Sequence, residues 1–573
     1  MIISFPFRNT VTEFHRNAIT QHIFDAGNEL NSVNNELKRL NAEINKLRGA
    51  VIIVESRRKK VEKKIARYRS LLAPIHRMPP EVLTEIFKFC CARNSINYYA
   101  FQYPGSLPSP MKLSSICGRW RQMILDTPGL WASLSACVDA SNRSVARVYR
   151  ATKLFMERSK SSPLTLEMEY HGIRFDGRDL FEDLVQNSGR WTSLDLSIET
   201  SALRESGRVL GNLRGQIPSL KRLVLRQLPT SFDNFSVVTV GDIPFLQAFE
   251  IAPSLQSVAL FSLLVTPRLA LPWHQIKDIQ LQRCTINDVL AILAQCSAVE
   301  QLSLHFVNND GPPHSGNHVT LLNVREISLS VGVGQSNALQ KLVEHCTLPK
   351  LQAMELRNTV VAGRDAWDFT AALCDFVVRS ACPLTSLNLH FVPITDECLS
   401  CLLPLIPTLT TLSIEEYLKL PSPSLGSAHS IPGMINPFNM IVTNHLLDRL
   451  SLSREGVEGA VGGRDRDLDT VLLPQLEHLT LVIHSEGLDQ NILIGTLASR
   501  LPDITRSGVA PEVGLDSCLR SIDVTVKVRD RPTSSFDALS SLECFRDAGV
   551  KVRITIIRYD TLDEEEFEEE EEY

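Results

Sequence analysis

The sequence predicts an α/β protein in which a long N-terminal coiled-coil helix precedes a stacked array of short strands and helices. Two observations predict this architecture. Apolar residues recur at alternating steps of three and four residues from Leu30 to Leu72, which is the coiled-coil period. Beyond residue 160 a pattern of leucine, any residue and leucine returns many times. Such short units cannot bury their own leucines, so they must stack.

Composition limits the classes of function. The chain has 573 residues and a net charge of −6, which excludes the basic field typical of nucleic-acid binding. It has no apolar run of the ~18 residues that a membrane helix needs. Its 13 cysteines are scattered and do not form a disulfide framework. We therefore expect a protein of the cytoplasm, the nucleus or both, without nucleic-acid or membrane partners.

The heptad segment covers residues 30–72, and only Arg58 interrupts its seam. Its β-branched positions favour two parallel strands. In that arrangement Glu43 meets Arg48, whereas Lys64 meets Arg69 unfavourably. A homodimer through residues 30–72 is one interpretation, and a long helix folded back on the chain's own body is the other. The seam consists of Leu30, Val33, Leu37, Leu40, Ile44, Leu47, Val51, Val54, Arg58, Val61, Ile65, Tyr68 and Leu72.

A second motif follows the coiled coil. Pro74 ends the helix, because proline disfavours the α conformation in the residue before it. Residues 75–87 read IHRMPPEVLTEIF, an insert at 94–110 is rich in Pro, Ser and Tyr, and residues 113–131 read LSSICGRWRQMILDTPGLW. This pattern resembles the F-box, with Met78 where the family has leucine. The heptad helix, this motif and the later leucine repeats together are similar to the F-box-like proteins expanded in mushroom-forming fungi.

The F-box resemblance implies three short helices that dock on the Skp-type adaptor and, through it, on a cullin of a ubiquitin ligase. The residues expected to face the adaptor are Pro79, Glu81, Leu83, Ile86 and Phe87. The residues expected to form the core of the three helices are Cys117, Trp120, Leu130 and Trp131.

The leucine signature resembles an irregular leucine-rich repeat, with 21 to 43 residues between successive units. Helical stretches at 287–296, 337–346 and 367–381 fall between predicted strands, which indicates a βα solenoid. The first apolar residues of the twelve pairs are Leu194, Leu223, Val258, Ile279, Leu302, Ile327, Met354, Leu387, Leu412, Leu450, Leu479 and Ile522.

Side chains alternate along a strand, so the residue between two buried leucines points to the open face of the sheet. These middle residues are small and polar and form no basic stripe, which favours recognition of a protein or peptide over phosphate. An ordinary solvated face explains them equally. The residues expected to meet an unknown protein substrate are Gln280, Ser303, Ser328, Glu355, Asn388 and Ser413.

Five regions follow from these patterns. They are an N-terminal segment at 1–29, a coiled-coil helix at 30–73, an F-box-like domain at 74–135, a leucine-rich-repeat solenoid at 160–560 and a disordered acidic tail at 561–573. The tail is called disordered because nine of its residues after Leu562 are acidic. Three long insertions, at 308–317, 420–439 and 455–469, are candidate binding loops or disordered segments.

No catalytic or cofactor motif is evident. The chain lacks a P-loop, an HExxH motif and a GxSxG motif, and Cys398 and Cys401 form a lone CxxC pair that is typical of packing. We therefore expect a non-enzymatic protein without cofactors. The leading hypothesis is the substrate-receptor subunit of a cullin-RING ligase. The alternative is a coiled-coil and leucine-repeat scaffold that does not assemble into a ligase.

Overall fold

The computed structural model comprises two compact units, Met1–Ile86 and Phe87–Tyr573. Several regions discussed above lie outside the described residues. They are the acidic tail, most of the insert at 94–110, the start of the N-terminal segment and the three long insertions except for residues 308 and 309. The structure describes residues 13–96, 107–139, 145–171, 178–199, 210–228, 247–262, 269–309, 318–332, 335–358, 370–416, 441–452, 472–485, 488–501, 519–529, 537–546 and 549–559.

The first unit consists mainly of helix α1, Glu13–Leu71. The helix includes the whole predicted seam up to Tyr68 but begins far before residue 30, so the expected separate N-terminal segment is instead helical from residue 13. A 3-10 turn at Pro74–Arg77 follows. Helix α2, Pro80–Cys90, then begins with a proline. Proline lacks a backbone N–H, but at the first position of a helix this N–H would make no intrahelical hydrogen bond, so nothing is lost.

Short helices punctuate the second unit. They are α3 Ser109–Ser114, α4 Gly118–Asp126, α5 Val145–Ser159, α6 Arg178–Gln186, α7 Ile286–Leu293, α8 Ser336–His345, α9 Thr370–Ser380, α10 Asp396–Leu402, α11 Asn444–Leu450 and α12 Gln490–Ser499. Helices α7 and α8 overlap the stretches predicted at 287–296 and 337–346 but begin one residue earlier, and α9 falls within the stretch predicted at 367–381.

Seventeen strands are formed by the described residues. They are β1 Ser95–Ile96, β2 Ser133–Asp139, β3 Leu164–His171, β4 Trp191–Glu199, β5 Arg222–Leu228, β6 Ser257–Phe261, β7 Asp278–Gln282, β8 Gln301–His305, β9 Val319–Thr320, β10 Glu326–Val331, β11 Cys346–Thr347, β12 Ala353–Asn358, β13 Ser386–His390, β14 Thr411–Glu415, β15 His478–His484, β16 Ser521–Arg529 and β17 Lys551–Tyr559.

Fifteen of these strands form one parallel sheet in chain order, and β9 pairs with β11 separately. Sequential order in a parallel sheet requires a crossover between every pair of strands, and the short helices and turns supply it. The leucine pairs stay in register, so that Leu387 lies opposite Leu412 and Leu389 opposite Ile414. All four are buried. The leucine signature thus marks one continuous core on one face of the sheet.

Left-handed turns recur at the ends of strands. Ser262, Arg283, Phe306 and Phe391 each follow a strand directly and have a φ of 54° to 56°. Each donates its backbone N–H to a carbonyl at or next to the end of the following sheet strand, for example from Arg283 to the His305 carbonyl at 2.9 Å. This bond opposes the cost of about 1 kcal/mol that a side chain has in this conformation. The turn directs the chain off the sheet at the same place in successive units.

One predicted strand is wrong. Residues 445–452 match the leucine signature, but Asn444–Leu450 is helix α11. The Thr443 hydroxyl accepts a hydrogen bond from the backbone N–H of Leu446 and so caps the helix. The buried residues Leu446, Leu447 and Leu450 share a helical face. Leu412 of β14 therefore lies directly opposite Leu479 of β15, and the array skips Leu450.

The parallel sheet extends beyond the predicted boundaries. It begins with β1, inside the insert at 94–110, and β2 then overlaps the end of the expected F-box-like region. The leucine signature cannot reveal these strands, because β2 reads SLSACVD and has alanine and valine at its later buried positions. Strand β1 and the start of β2 therefore lie inside the region expected to be F-box-like, 74–135.

Candidate partner-binding surfaces

Helix α2 has two apolar stripes. Leu83 and Phe87, one helical turn apart, are buried, with exposed fractions of 0% and 1%. Val82, Ile86 and Phe89 form the second stripe and are 45%, 38% and 84% exposed. A surface helix normally needs only one apolar stripe to face a core. The second stripe is therefore available to a partner.

The expected adaptor residues separate into two groups. Pro79, Glu81 and Ile86 are exposed, as an adaptor contact requires, whereas Leu83 and Phe87 are buried. The expectation that all five residues share one accessible face does not fit this burial. The sequence shows that α2 is amphipathic but cannot tell which of its two apolar stripes is covered. Val82 and Phe89, which the sequence analysis did not select, extend the exposed stripe.

Three aromatic side chains of this segment, Phe87, Trp120 and Trp131, are buried. Phe87 meets Trp120 edge to face, with ring centroids 4.8 Å apart, a favourable geometry for aromatic pairs. Trp131 donates its indole N–H to the Ile124 carbonyl at 2.9 Å, and its ring contacts Phe155 at 5.1 Å. Leu130 is also buried.

Cys117 has a different role from the other three expected core residues. It is half-buried and precedes helix α4 as its N-cap, where its Sγ accepts the backbone N–H of Trp120 at 3.5 Å. A side-chain acceptor at this position satisfies one of the free N–H groups of the first turn. Cys117 therefore sets where the helix that carries Trp120 begins.

Asn94 organises this segment, although the sequence analysis passed over it. The side chain is fully buried. Its Nδ2 contacts the carbonyl oxygens of Cys91, Leu130 and Ser133 at 3.1, 3.1 and 2.8 Å. The Asn94 carbonyl in turn accepts the backbone N–H of Ser135. Asn94 thus joins the end of α2 to the start of β2, and its position at the start of a Pro- and Ser-rich insert gave no signal of this role.

The six residues expected to meet a substrate lie side by side on the open face of the sheet. Register pairs Gln280 with Ser303 and Ser303 with Ser328. The row continues through Glu355 and Asn388 to Ser413. All six side chains are half-buried. They form a continuous polar row across six strands, as the alternation of strand side chains requires.

Glu355 is the centre of a hydrogen-bonded cluster in this row. Its carboxylate accepts bonds from Arg357 at 3.0 Å and from the Ser328 hydroxyl at 3.1 Å. Burial raises the pKa of Glu355, but the bonds from Arg357 and Ser328 outweigh it, so the pKa lies below its ordinary value. The cluster therefore holds a charged carboxylate on the sheet face.

His390 joins this cluster to a second acid. Its Nδ1 lies 2.9 Å from the Glu415 carboxylate, and its Nε2 lies 3.8 Å from that of Glu355. Two other acids of the same face are paired with arginine, Asp195 with Arg226 and Asp523 with Arg553. Arginines thus offset three of the acidic side chains on this face, and the face suits a polar partner more than a strongly basic one.

Neither a metal-binding cluster nor a membrane-spanning helix is found among the described residues. These residues include no group of three or more His, Cys, Asp or Glu side chains arranged to hold an ion. Cys398 is buried and Cys401 exposed on helix α10, and both thiols are free. None of the described helices combines the length and the apolar character needed to cross a bilayer.

Comparison with known proteins gives no assignment. No family model matches the chain, and no curated protein matches it.

Proposed function

We propose that this chain is the substrate-receptor subunit of a cullin-RING ubiquitin ligase, in which the F-box-like segment binds a Skp-type adaptor and the leucine-rich repeats recruit a protein substrate. The observation that carries the proposal is the second apolar stripe of α2, formed by Val82, Ile86 and Phe89. It lies in the segment whose ordered residues resemble the F-box.

The stripe has the properties of a binding hot spot. Aromatic and aliphatic side chains dominate the energy of protein interfaces when they become fully buried, and Phe89 is 84% exposed in the free chain. A helix that offers anchors at i, i+4 and i+7 suits insertion of one face into a partner's groove. The buried stripe fixes the backbone of the helix, so little order has to be gained on binding.

The polar row supports the second half of the proposal. Its side chains are half-buried on six adjacent strands, so the backbone holds them at fixed spacings. Residues placed on strands are positioned more precisely than residues on loops. A polar face with paired charges favours specificity through hydrogen bonds, because a partner that leaves those groups unpaired loses affinity.

The proposed contribution to ubiquitin transfer is proximity. The receptor holds a substrate lysine near the ubiquitin-carrying enzyme and so replaces a bimolecular encounter with a local one. Thioester chemistry belongs to other subunits, and this chain supplies binding alone.

The adaptor-binding test uses a triple variant of the exposed stripe, Val82→Asp, Ile86→Asp and Phe89→Asp. We expect the dissociation constant for a purified Skp-type adaptor to rise at least about a hundredfold, because three carboxylates would have to be desolvated in the interface. Isothermal titration calorimetry measures the change. Since all three side chains are already exposed, the variant should keep its fold and its unfolding midpoint.

The control variant is Val378→Asp. Val378 is an apolar residue of helix α9 and is 62% exposed. The substitution introduces the same chemistry outside the F-box-like segment and should leave adaptor affinity unchanged. Equal affinity of the triple variant and the wild-type chain would refute the adaptor proposal. Absence of any adaptor binding by the wild-type chain would favour the scaffold alternative, to which the exposed seam of α1 lends support.

A further inference from the structure

Helix α1 carries a long apolar seam whose described side chains are exposed. None of its described side chains is buried. Over residues 30–68 the eleven apolar seam residues are 45% to 63% exposed. At 1.5 Å per residue this seam is about 57 Å long. An apolar surface of that length and regularity is the condition for a coiled coil.

The seam fits a second copy of the same helix, and the flanking charges determine its direction. Each heptad begins at a seam residue of the series that starts with Leu30 and continues every seven residues. The residues directly before these positions form the g column, which runs along one border of the seam. Its N-terminal half is acidic and its C-terminal half basic. In order, the g column reads Glu29, Glu36, Glu43, Ala50, Arg57 and Lys64.

A parallel pair uses this column poorly. Each g residue then meets the e residue of the next heptad of the other helix. Glu43 meets Arg48 and Arg57 meets Glu62, but Lys64 meets Arg69. Arg58 would also face its own copy inside the seam. Within one helix Arg58 already lies 3.4 Å from Glu62, so that parallel pairing would share this acid between two arginines.

An antiparallel pair gives four charged residues of this column an opposite partner: Glu36, Glu43, Arg57 and Lys64. The g columns of the two helices then face each other, with the acidic half of each beside the basic half of the other. When the two helices cross at Gly49, Leu30 of one helix lies opposite Tyr68 of the other, and each further seam residue also has a seam partner. All these partners are apolar except Arg58, which lies opposite Leu40. Glu36 then meets Lys64, and Glu43 meets Arg57. A shift of one heptad in either direction still places acid opposite base.

We propose that α1 pairs with α1 of a second copy in an antiparallel coiled coil, directed by the segregated charges of the g column. Arg58 then faces an apolar residue of the other helix instead of another arginine. This inference is independent of the proposed ligase function. It names the partner and the orientation of the exposed seam.

Two full-length double variants test the orientation. The first, Glu36→Lys with Glu43→Lys, makes the g column basic throughout those heptads. The second, Arg57→Glu with Lys64→Glu, makes it acidic. In an antiparallel pair each variant repels its own copy, so sedimentation equilibrium should show the dimer dissociation constant of each raised at least about tenfold. An equimolar mixture should restore dimerisation, with attraction that weakens as salt is added.

The acidic variant separates the two orientations. In a parallel pair it would lose the Arg57–Glu62 contact but gain an attraction between residue 64 and Arg69, and it would dimerise as well as the wild-type chain. That result would overturn the antiparallel assignment. A wild-type chain that stays monomeric at high micromolar concentration, or forms a species larger than two chains, would overturn the pairing itself. Neither result bears on adaptor binding.

Discussion

Glu416 shows how one buried side chain can anchor an insertion. It directly follows β14 and is buried. One carboxylate oxygen accepts the backbone N–H groups of Ile441 and Val442 at 2.9 and 2.7 Å, and the other accepts that of His484 at 3.3 Å. Ile441 is the point at which the described chain resumes after residue 416. Glu416 therefore ties both ends of the insertion to strand β15.

The same burial makes Glu416 a source of pH dependence. Burial raises the pKa of Glu416 to about 7, although the three backbone N–H groups and Lys527 oppose the shift. The folded chain thus holds this proton more tightly than the unfolded chain. The contribution of Glu416 to the free energy of unfolding is complete below about pH 4.5 and is lost as the pH rises through about 7. Urea unfolding should show Glu416→Gln losing that part of the pH dependence.

His484 is the titratable neighbour that must be separated from this effect. Burial, with a contribution from Lys527, lowers the pKa of His484 to about 4. The contribution of His484 to the free energy of unfolding is therefore lost as the pH falls from about 6.5 towards 4. Both proteins in the comparison contain His484, so its contribution cancels in their difference as long as glutamine at position 416 leaves the pKa of His484 unchanged. A difference between wild type and Glu416→Gln that stays constant from pH 4.5 to about 7 would contradict the assignment.

Asn94 gives a prediction that does not depend on pH. Asn94→Ala leaves three carbonyl oxygens without their side-chain donor and should lower the free energy of unfolding by about 2–3 kcal/mol. Asn94→Asp keeps the size of the side chain but places acceptors against those carbonyls, so it should cost more than alanine. Denaturant unfolding followed by tryptophan fluorescence measures both. An aspartate variant as stable as the wild type would show that the three contacts contribute nothing.

At the scale of the element, the left-handed turn that follows β6, β7, β8 and β13 has a measurable cost. Arg283 is exposed and has a φ of 56°, so its side chain contributes strain with little packing. Arg283→Gly should be about 1 kcal/mol more stable than Arg283→Ala, because glycine adopts this φ without a Cβ clash and alanine does not. Thermal unfolding of the two variants gives the comparison. Equal stability would mean that the turn relaxes when the side chain is removed.

The strands and helices also show which structural features a sequence pattern predicts by itself. The alternation of leucines along a strand is local, so it identified the strands that carry Leu387, Leu412 and Leu479, although it wrongly placed Leu450 between the last two. The same letters at residues 445–452 form a helix because the hydroxyl of Thr443 caps it and Leu446, Leu447 and Leu450 also satisfy helical spacing. A short apolar pattern does not distinguish the two states by itself.

The candidate site was harder to predict than the sheet. The pattern of α2 identified an amphipathic helix, but burial depends on which face meets the rest of the fold, and this is not encoded in the spacing. Leu83 and Phe87 were selected as contacts and are buried, whereas Val82 and Phe89 are exposed and were missed. The polar row was located correctly as a row, since it follows from the leucines, but the Glu355–His390–Glu415 cluster depends on three strands and could not be read from any one of them.

At the scale of the molecule, the parallel sheet is open and ends at β17. Among the described residues this nine-residue strand pairs only with β16, and its Ile556 and Ile557 are partly exposed. A free strand border of this kind can add a strand from another molecule and so seed aggregation. Four residues beyond Tyr559 the sequence begins a run in which nine of eleven residues are acidic. Because the run is only a few residues along the chain from β17, we expect two copies that pair through this strand to repel each other, as charged gatekeeper residues beside an aggregation-prone strand do.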